Sequence, residues 1–408
     1  MNALQFKFDI SKYTASKILG RWFPSLHWHP TLSCLSMSQI KEPPLPNEDW
    51  VKIKVRFGGI CGSDMNLLFL HDSPATSPFA SFPFTIGHEA VGQIAELGNN
   101  VEGFSKGQRV VVNPLLSCES RGLEYCPACQ RGDESLCHYK TKGDIGPGLL
   151  IGACKKTGGS WSPYLVAHKS QILALPEEVN DSNGVLIEPF SCALHAVLRN
   201  PPKQGGHALV IGAGMIGLSI IAALKALDYC CIITVLVKHT FQGEMAKKLG
   251  ADYVVYLNDS YIKQVAEIFK AERLRPIFGQ EVIQGGADTV YECVGNSKSV
   301  NDALRLTQSG GSIVLLGLAS MMKIDWTTVW LNELSIKGCF AYSSNEFEGS
   351  RRSTLDIAIE LMKRGKVDLS SMITHRYPLH EYKTAFSTIT NKSSKRVIKV
   401  VFEHDIRV

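Results

Sequence analysis

The stretch Ala208-Leu209-Val210-Ile211-Gly212-Ala213-Gly214-Met215-Ile216-Gly217-Leu218 decides the fold. A short apolar run enters three glycines at Gly-x-Gly-x-x-Gly spacing, and a second apolar run leaves them toward Leu227. At this spacing the first glycine allows a tight turn, the second lets backbone approach a pyrophosphate, and the third lets helix and strand pack closely. The segment therefore reads as a buried strand, a turn and a helix whose N-terminus receives the phosphates. Gly212, Gly214, Met215, Ile216 and Gly217 are the candidate cofactor contacts. Ala208 to Leu224 approaches the length of a membrane span, but glycines at fingerprint spacing are better explained by a strand-turn-helix.

On both sides of the turn, strand-like and helix-like runs alternate. A helical pattern from Leu186 to Arg199 is stopped by Pro201 and Pro202. After the turn come Leu218 to Leu227 (helix), Ile232 to Val237 (strand), Met245 to Leu249 (helix), Thr289 to Cys293 (strand) and Ser312 to Leu316 (strand). Such alternation predicts a parallel sheet with crossover helices. Upstream, Trp50 to Phe57 alternates apolar and basic residues, the period of a half-buried strand. Further β-like runs at Ala90 to Leu97, Arg109 to Asn113 and Gln171 to Leu175 are separated by Gly, Pro and Asn, so this half reads as mostly β with long loops. A helix near Thr354 to Arg364 and a strand near Arg396 to Phe402 close the chain.

A site for NAD usually places an acid about 20 residues beyond the glycines, to hold the ribose 2′-hydroxyl. Here the corresponding stretch is Thr234-Val-Leu-Val237-Lys238-His239-Thr240, with no carboxylate. A cation there favours the extra phosphate of NADP(H) through charge-assisted hydrogen bonds. NADP(H) preference carried by Lys238 and His239 is the expectation.

Two groups of metal-capable residues precede the nucleotide turn. Cys118, Cys126, Cys129 and Cys137 are spaced for a closed tetrahedral site of four thiolates, which stabilises a lobe and leaves no position for substrate. Cys61 follows a Gly-Gly breaker, His88 and Glu89 form a Gly-His-Glu triplet, and Glu188 stands just ahead of the α/β half. A thiolate, an imidazole and one carboxylate would neutralise Zn²⁺ and keep it Lewis-acidic toward oxygen.

From about residue 40 onward nearly the entire chain resembles the zinc-dependent branch of the medium-chain dehydrogenase/reductase family, close to its sorbitol and threonine dehydrogenase-like members. The resemblance rests on Gly-Ile-Cys61-Gly-Ser63-Asp64, Gly87-His88-Glu89, the cysteine cluster, Glu188-Pro189 and Val-Ile-Gly-Ala-Gly-Met-Ile-Gly. It implies an α/β protein: a GroES-like, mostly β catalytic domain (1–188 and 345–408, with a four-cysteine zinc lobe at about 114–142) and a Rossmann doubly wound parallel-sheet domain (189–344). It assigns Cys61 and His88 to a catalytic zinc, with Glu89 and Glu188 competing for the third place. Ser63 matches a hydroxyl that passes the substrate proton outward, and Asp64 a carboxylate that orients the histidine. In the tail Lys395-Arg396-Val-Ile-Lys399, Arg396 matches a place where a cation approaches the cofactor phosphates. A homodimer or homotetramer is implied, built partly by pairing of Rossmann sheets.

Two positions depart from the family pattern. Asn66 stands where many relatives end the proton relay with a histidine, and Leu123 replaces the usual first cysteine of the lobe, so that Cys118 must reach from a longer arm. Phe69, His71, Phe84 and Trp161 are candidates for the substrate pocket.

Composition narrows the alternatives. In 408 residues the net charge is only +5, with no basic aromatic stretch, which argues against nucleic acid and membrane partners. Twelve cysteines without an export signal suit metal ligation and free thiols in a cytoplasmic protein better than a disulfide scaffold. The expected activity is hydride transfer between an alcohol or polyol CH–OH group, or the matching carbonyl, and the nicotinamide. The competing classes are a non-catalytic NADP(H)-binding sensor or scaffold and a zinc-free reductase on the same fold. Retention of Cys61, Ser63, His88 and both glutamates favours the zinc enzyme over either.

Overall fold

Residues 1–405 are described by a computed structural model, in which the chain divides into two units. The first comprises Met1–Glu188 and the tail from Leu355; the second is Pro189–Thr354.

The first unit is built on a seven-stranded sheet. Its central strand, Trp50–Gly59, pairs antiparallel with Ala90–Leu97, with Tyr164–His168 and, at its far end, with Lys399–Glu403. The alternation seen in the sequence has its physical cause here. Trp50, Ile53, Val55 and Phe57 turn into apolar cores, whereas Lys52, Lys54 and Arg56 are half-buried at the surface. One core gathers Trp50, Val51, Ile53 and Val55 with Ile94, Val110 and Leu165. Another gathers Leu4, Phe84, Trp161, Phe386 and Phe402 beside a small three-stranded sheet. Phe84 and Trp161 therefore serve the core, at 2% and 0% exposure, and the Trp161 indole N–H is used up on the Gly59 carbonyl at 3.0 Å.

The second unit holds a six-stranded sheet in which every neighbouring pair is parallel. Across the sheet the strands run Tyr253–Tyr256, Ile232–Val237, His207–Ile211, Ala287–Glu292, Thr307–Leu315 and Ser335–Gly338. This is the 3-2-1-4-5-6 order of a doubly wound Rossmann sheet. His207–Ile211 sits at the point where the strand order reverses, which is where such sheets bind ligands. The helices Tyr261–Phe269 and Ser297–Leu306 were not among the elements read from the sequence, although their apolar stripe is regular and Val265, Phe269, Ala303 and Leu304 fill the core against this sheet. Among the described residues no helix is long and apolar enough to cross a membrane.

Candidate active site and metal centres

Cys61 closes the loop after the central strand and is the N-cap of the helix Gly62–Leu68. Asp64, in the first turn, accepts the Cys61 backbone N–H at 2.8 Å through Oδ2, and its Oδ1 stands 3.4 Å from His88 Nδ1. One buried carboxylate thus anchors the loop that presents the thiol and orients the imidazole. Burial disfavours a charge on His88, but Asp64 and the Cys61 thiol more than offset it and hold the imidazole well above its usual range. Cys61, His88 and Glu89 place one donor atom each within 4.8 Å of one another. Their donor set of thiol, imidazole and carboxylate fits Zn²⁺.

Glu89 is wholly buried, and its partner is a residue that the sequence did not connect to it. Lys399, 3% exposed, donates to Glu89 Oε1 at 2.6 Å and to the Ile60 carbonyl at 3.0 Å. Oε2 lies against the same ammonium, yet outside hydrogen-bond alignment, and so remains a buried oxygen with no hydrogen-bond donor. A carboxylate half-satisfied in this way suits a site that takes a cation. The close fit requires Gly59, since a Cβ there would lie 1.7 Å from Oε2. Burial would strip the proton from Lys399, but Glu89 and then Cys61 keep it charged. Lys399→Met is expected to cost roughly 3 kcal/mol, because it leaves a buried carboxylate unpaired. Urea denaturation measures this, and adding Glu89→Gln should restore most of the loss. Equal stability of the single variant and the parent would remove the pair from this account.

Ser63 and Asn66 are half-buried on the same helix. Glu188 is 8% exposed in the first turn of the helix Ile187–Arg199 and does not belong to the group formed by Cys61, His88 and Glu89.

The second group is Cys118, Cys126, Cys129 and Cys137, all buried, with their sulfurs within 4.8 Å of one another. Backbone N–H groups of Cys126, His138 and Tyr139 point at the sulfurs of Cys118, Cys126 and Cys137 at 3.3 to 3.4 Å. Such donors favour thiolates. A bond from Cys129 holds the Cys137 thiol down at about 5 and pushes Cys129 itself far up. Four sulfurs this close cannot all ionise without a cation among them, so the site fits a structural zinc. The longer arm from Cys118 is organised by Arg121, which is wholly buried. Its guanidinium donates to the carbonyls of Leu116, Lys140, Lys142, Gly146 and Gly148. One cation thereby ties both ends of the lobe.

In the second unit Gly212 has φ +94, with Val294 packed over it, and Gly214 caps the helix Met215–Ala226. A Cβ on Gly217 would lie 1.8 Å from the Gly212 carbonyl, so the third glycine is required by the closeness of strand and helix. Met215 and Ile216 open the helix and are half-buried. Lys238 follows the strand Ile232–Val237 and is exposed, while His239 is the N-cap of the helix Thr240–Lys248 and stacks on Phe241 at 5.4 Å. Sequence reading missed Glu292. Fully buried at the end of Ala287–Glu292, it accepts the backbone N–H groups of Val294 and Gly295 at 2.9 to 3.1 Å and so shapes the loop that covers Gly212. Arg396 is exposed at the C-cap of the helix Lys392–Lys395, with φ +53.

Comparison with known proteins agrees with this arrangement. Residues 47–177 match the alcohol dehydrogenase GroES-like domain, and residues 216–355 match the zinc-binding dehydrogenase domain. An L-galactonate-5-dehydrogenase of Escherichia coli (strain K12) is 30% identical over 368 residues, covering 88% of this chain and 91% of its own length. A sorbitol dehydrogenase of Halalkalibacterium halodurans is 28% identical, covering 88% of this chain and 94% of its own. The crystal structure of 2R,3R-butanediol dehydrogenase from Bacillus subtilis superposes with a TM-score of 0.70 at 25% identity, covering 91% of this chain and 96% of that one. With a GroES-like unit, a Rossmann unit and two metal-capable clusters in the expected order, the chain belongs to the zinc-dependent medium-chain dehydrogenase/reductases of the alcohol dehydrogenase superfamily, oxidoreductases that work on an alcohol or carbonyl with a nicotinamide cofactor.

Proposed function

We propose that this enzyme oxidises a secondary hydroxyl of a small polyhydroxylated substrate, such as a polyol or sugar acid, and that it prefers NADP(H). The observation that carries the reading is the group Cys61, His88 and Glu89, three donors of the right kind with Glu89 Oε2 left without a donor. The relatives named for sorbitol and L-galactonate support the substrate class. The bare Lys238 position, with no acid at the strand end, supports NADP(H).

Zinc held there supplies Lewis acidity toward the substrate oxygen. The residues of the chain do the rest. Cys61, His88 and Glu89 hold the metal, with Asp64 fixing the imidazole; Glu188 is a second carboxylate in reserve. Ser63 takes the hydroxyl proton and hands it outward, past Asn66, through water. Cys118, Cys126, Cys129 and Cys137 hold a second, structural zinc. In the second unit Gly212, Gly214, Met215, Ile216 and Gly217 seat the pyrophosphate, and Lys238 and His239 meet the 2′-phosphate; Arg396, a residue of the first unit, is the further cation the family pattern assigns to the cofactor phosphates. Hydride transfer itself belongs to the cofactor.

The edge strand Ser335–Gly338, preceded in the chain by exposed Trp326 and Trp330, supports assembly with a second copy, as a homodimer or homotetramer. A panel of polyols, sugar acids and simple secondary alcohols, assayed with NADP and with NAD, tests the activity. Turnover on polyhydroxylated compounds with a higher kcat/KM for NADP is expected. A clear preference for NAD would overturn the role of Lys238, and sedimentation as a single 44.8 kDa chain would overturn assembly.

A further inference from the structure

The strands Asn2–Phe6 and Leu35–Gln39 pair antiparallel, from Asn2 against Gln39 to Phe6 against Leu35. Hairpins of this kind usually close in about 2–5 residues. Here residues 7–34 intervene, and they are ordered. Asp9 caps the helix Ile10–Leu19 by accepting the Lys12 N–H at 2.9 Å, and a short 3-10 turn, Pro24–Trp28, follows.

This excursion grips the far end of the helix whose near end holds Cys61. The Phe69 ring meets His27 edge-on at 5.0 Å and Trp28 at 6.1 Å, and stacks on His71 at 5.8 Å. Trp28 continues into Phe386 at 5.9 Å and shares a core with Leu68 and Leu70. Lys17 donates its ammonium to the carbonyl of Leu70, a residue held at φ +58. A leucine rarely takes that conformation and keeps it only where its surroundings enforce it. The His71 N–H then folds back onto the Asn66 carbonyl at 2.8 Å. His27 is 6% exposed; its Nδ1 has no hydrogen-bond partner, and the ring is held by packing and by a hydrogen bond to the Leu68 backbone. Residues three apart on a helix are neighbours, so Asn66 stands between Ser63 on one side and the C-cap Phe69 on the other. Gly62–Leu68 is only seven residues long, so its braced end lies roughly two turns from Cys61 and Ser63, beside the space next to them and clear of the reacting groups themselves.

We propose that residues 7–34 are a brace on the catalytic helix that sets substrate fit beside Ser63, with Lys17, His27 and Trp28 as positioning residues. The excursion fixes Phe69 and Asn66, and through them the space in which the hydroxylated substrate must seat. This rests on the polyol reading above for its substrate, and not for its structural content.

Lys17→Met leaves the Leu70 carbonyl without its cation. In the holoenzyme it is expected to raise KM for the working polyol about tenfold, since a loosened wall weakens ground-state and transition-state binding alike. kcat should stay within about twofold, because the groups at the reacting atoms are unchanged. Zinc content should be unaltered, and Lys17→Arg should restore KM. His27→Leu keeps the bulk, removes both the orphaned nitrogen and the hydrogen bond to the Leu68 backbone, and serves as the second variant should Lys17→Met fail to fold. Hydrogen exchange reads the brace without substrate: the amides of Phe69 and His71 should exchange faster in either variant. Unchanged KM with unchanged exchange would overturn the brace, and so would a fall in kcat with KM intact. A parent enzyme inert toward the whole substrate panel would overturn the polyol reading instead, with the exchange rates still deciding the brace.

Discussion

Cys61→Ser is expected to lower kcat/KM by roughly 10³-fold or more, because a Lewis-acidic metal contributes several kcal/mol of charge stabilisation and each 1.4 kcal/mol is a factor of ten. The fold should be almost untouched. Cys61 is only half-buried, and as the N-cap of Gly62–Leu68 it occupies a position where serine is among the preferred residues. The capping carboxylate of Asp64 still finds the same backbone N–H, so the helix start and the orientation of His88 survive. Only the soft donor is lost. Metal analysis should therefore fall from two zinc ions per chain toward one, while circular dichroism and the unfolding midpoint remain close to the parent. Full turnover with two zinc ions retained would take the metal out of the chemistry. Loss of both ions would show instead that the two clusters are not independent.

The parts of the molecule that could be read from the sequence are those whose physics is local. The glycine turn is legible because each glycine answers a constraint within a few residues, as the contact of Gly217 with the Gly212 carbonyl shows. The strands Ala90–Leu97 and Ile232–Val237 fall where the apolar runs place them. What stayed hidden depends on pairs distant in sequence. Glu89 and Lys399 are 310 positions apart, and nothing near either one names the other. The one available signal was a lysine in Val-Ile-Lys399-Val-Val-Phe, where an inward-facing charge in an apolar strand demands a buried counter-charge. Phe84 and Trp161 were candidates for the pocket because large aromatics serve cores and pockets equally well, and only the packing with Phe386 and Phe402 distinguishes the two. The 7–34 excursion lacked a readable pattern for a related reason: its helix buries only Ser16 among its ten residues, so its apolar spacing carries little phase.

Cys126→Ser should act on stability where Cys61→Ser acts on rate. A structural zinc joins its binding energy to folding, so removing one thiolate is expected to cost several kcal/mol. The lobe has little else to hold it. Its own apolar cluster consists of Ala128 and the four cysteines, with Leu123 and Tyr139 at the margin. Regular structure between Cys118 and Cys137 amounts to two 3-10 turns and the four-residue helix Pro127–Gln130. Without the metal, three buried thiols remain around a weakened centre, and the carbonyls of Lys140, Lys142, Gly146 and Gly148 lose the frame that brings them to Arg121. Arg121 then becomes the reporter. It is 0% exposed, so limited trypsin digestion of the intact enzyme should spare it, whereas Cys126→Ser should be cut there early and should contain one zinc per chain. The Cys61, His88 and Glu89 group, whose residues lie outside the lobe, should keep its ion in the uncut fraction. If the variant loses an ion yet resists cleavage at Arg121, the guanidinium and its five carbonyls hold the lobe by themselves and the four-thiolate clip is dispensable for folding.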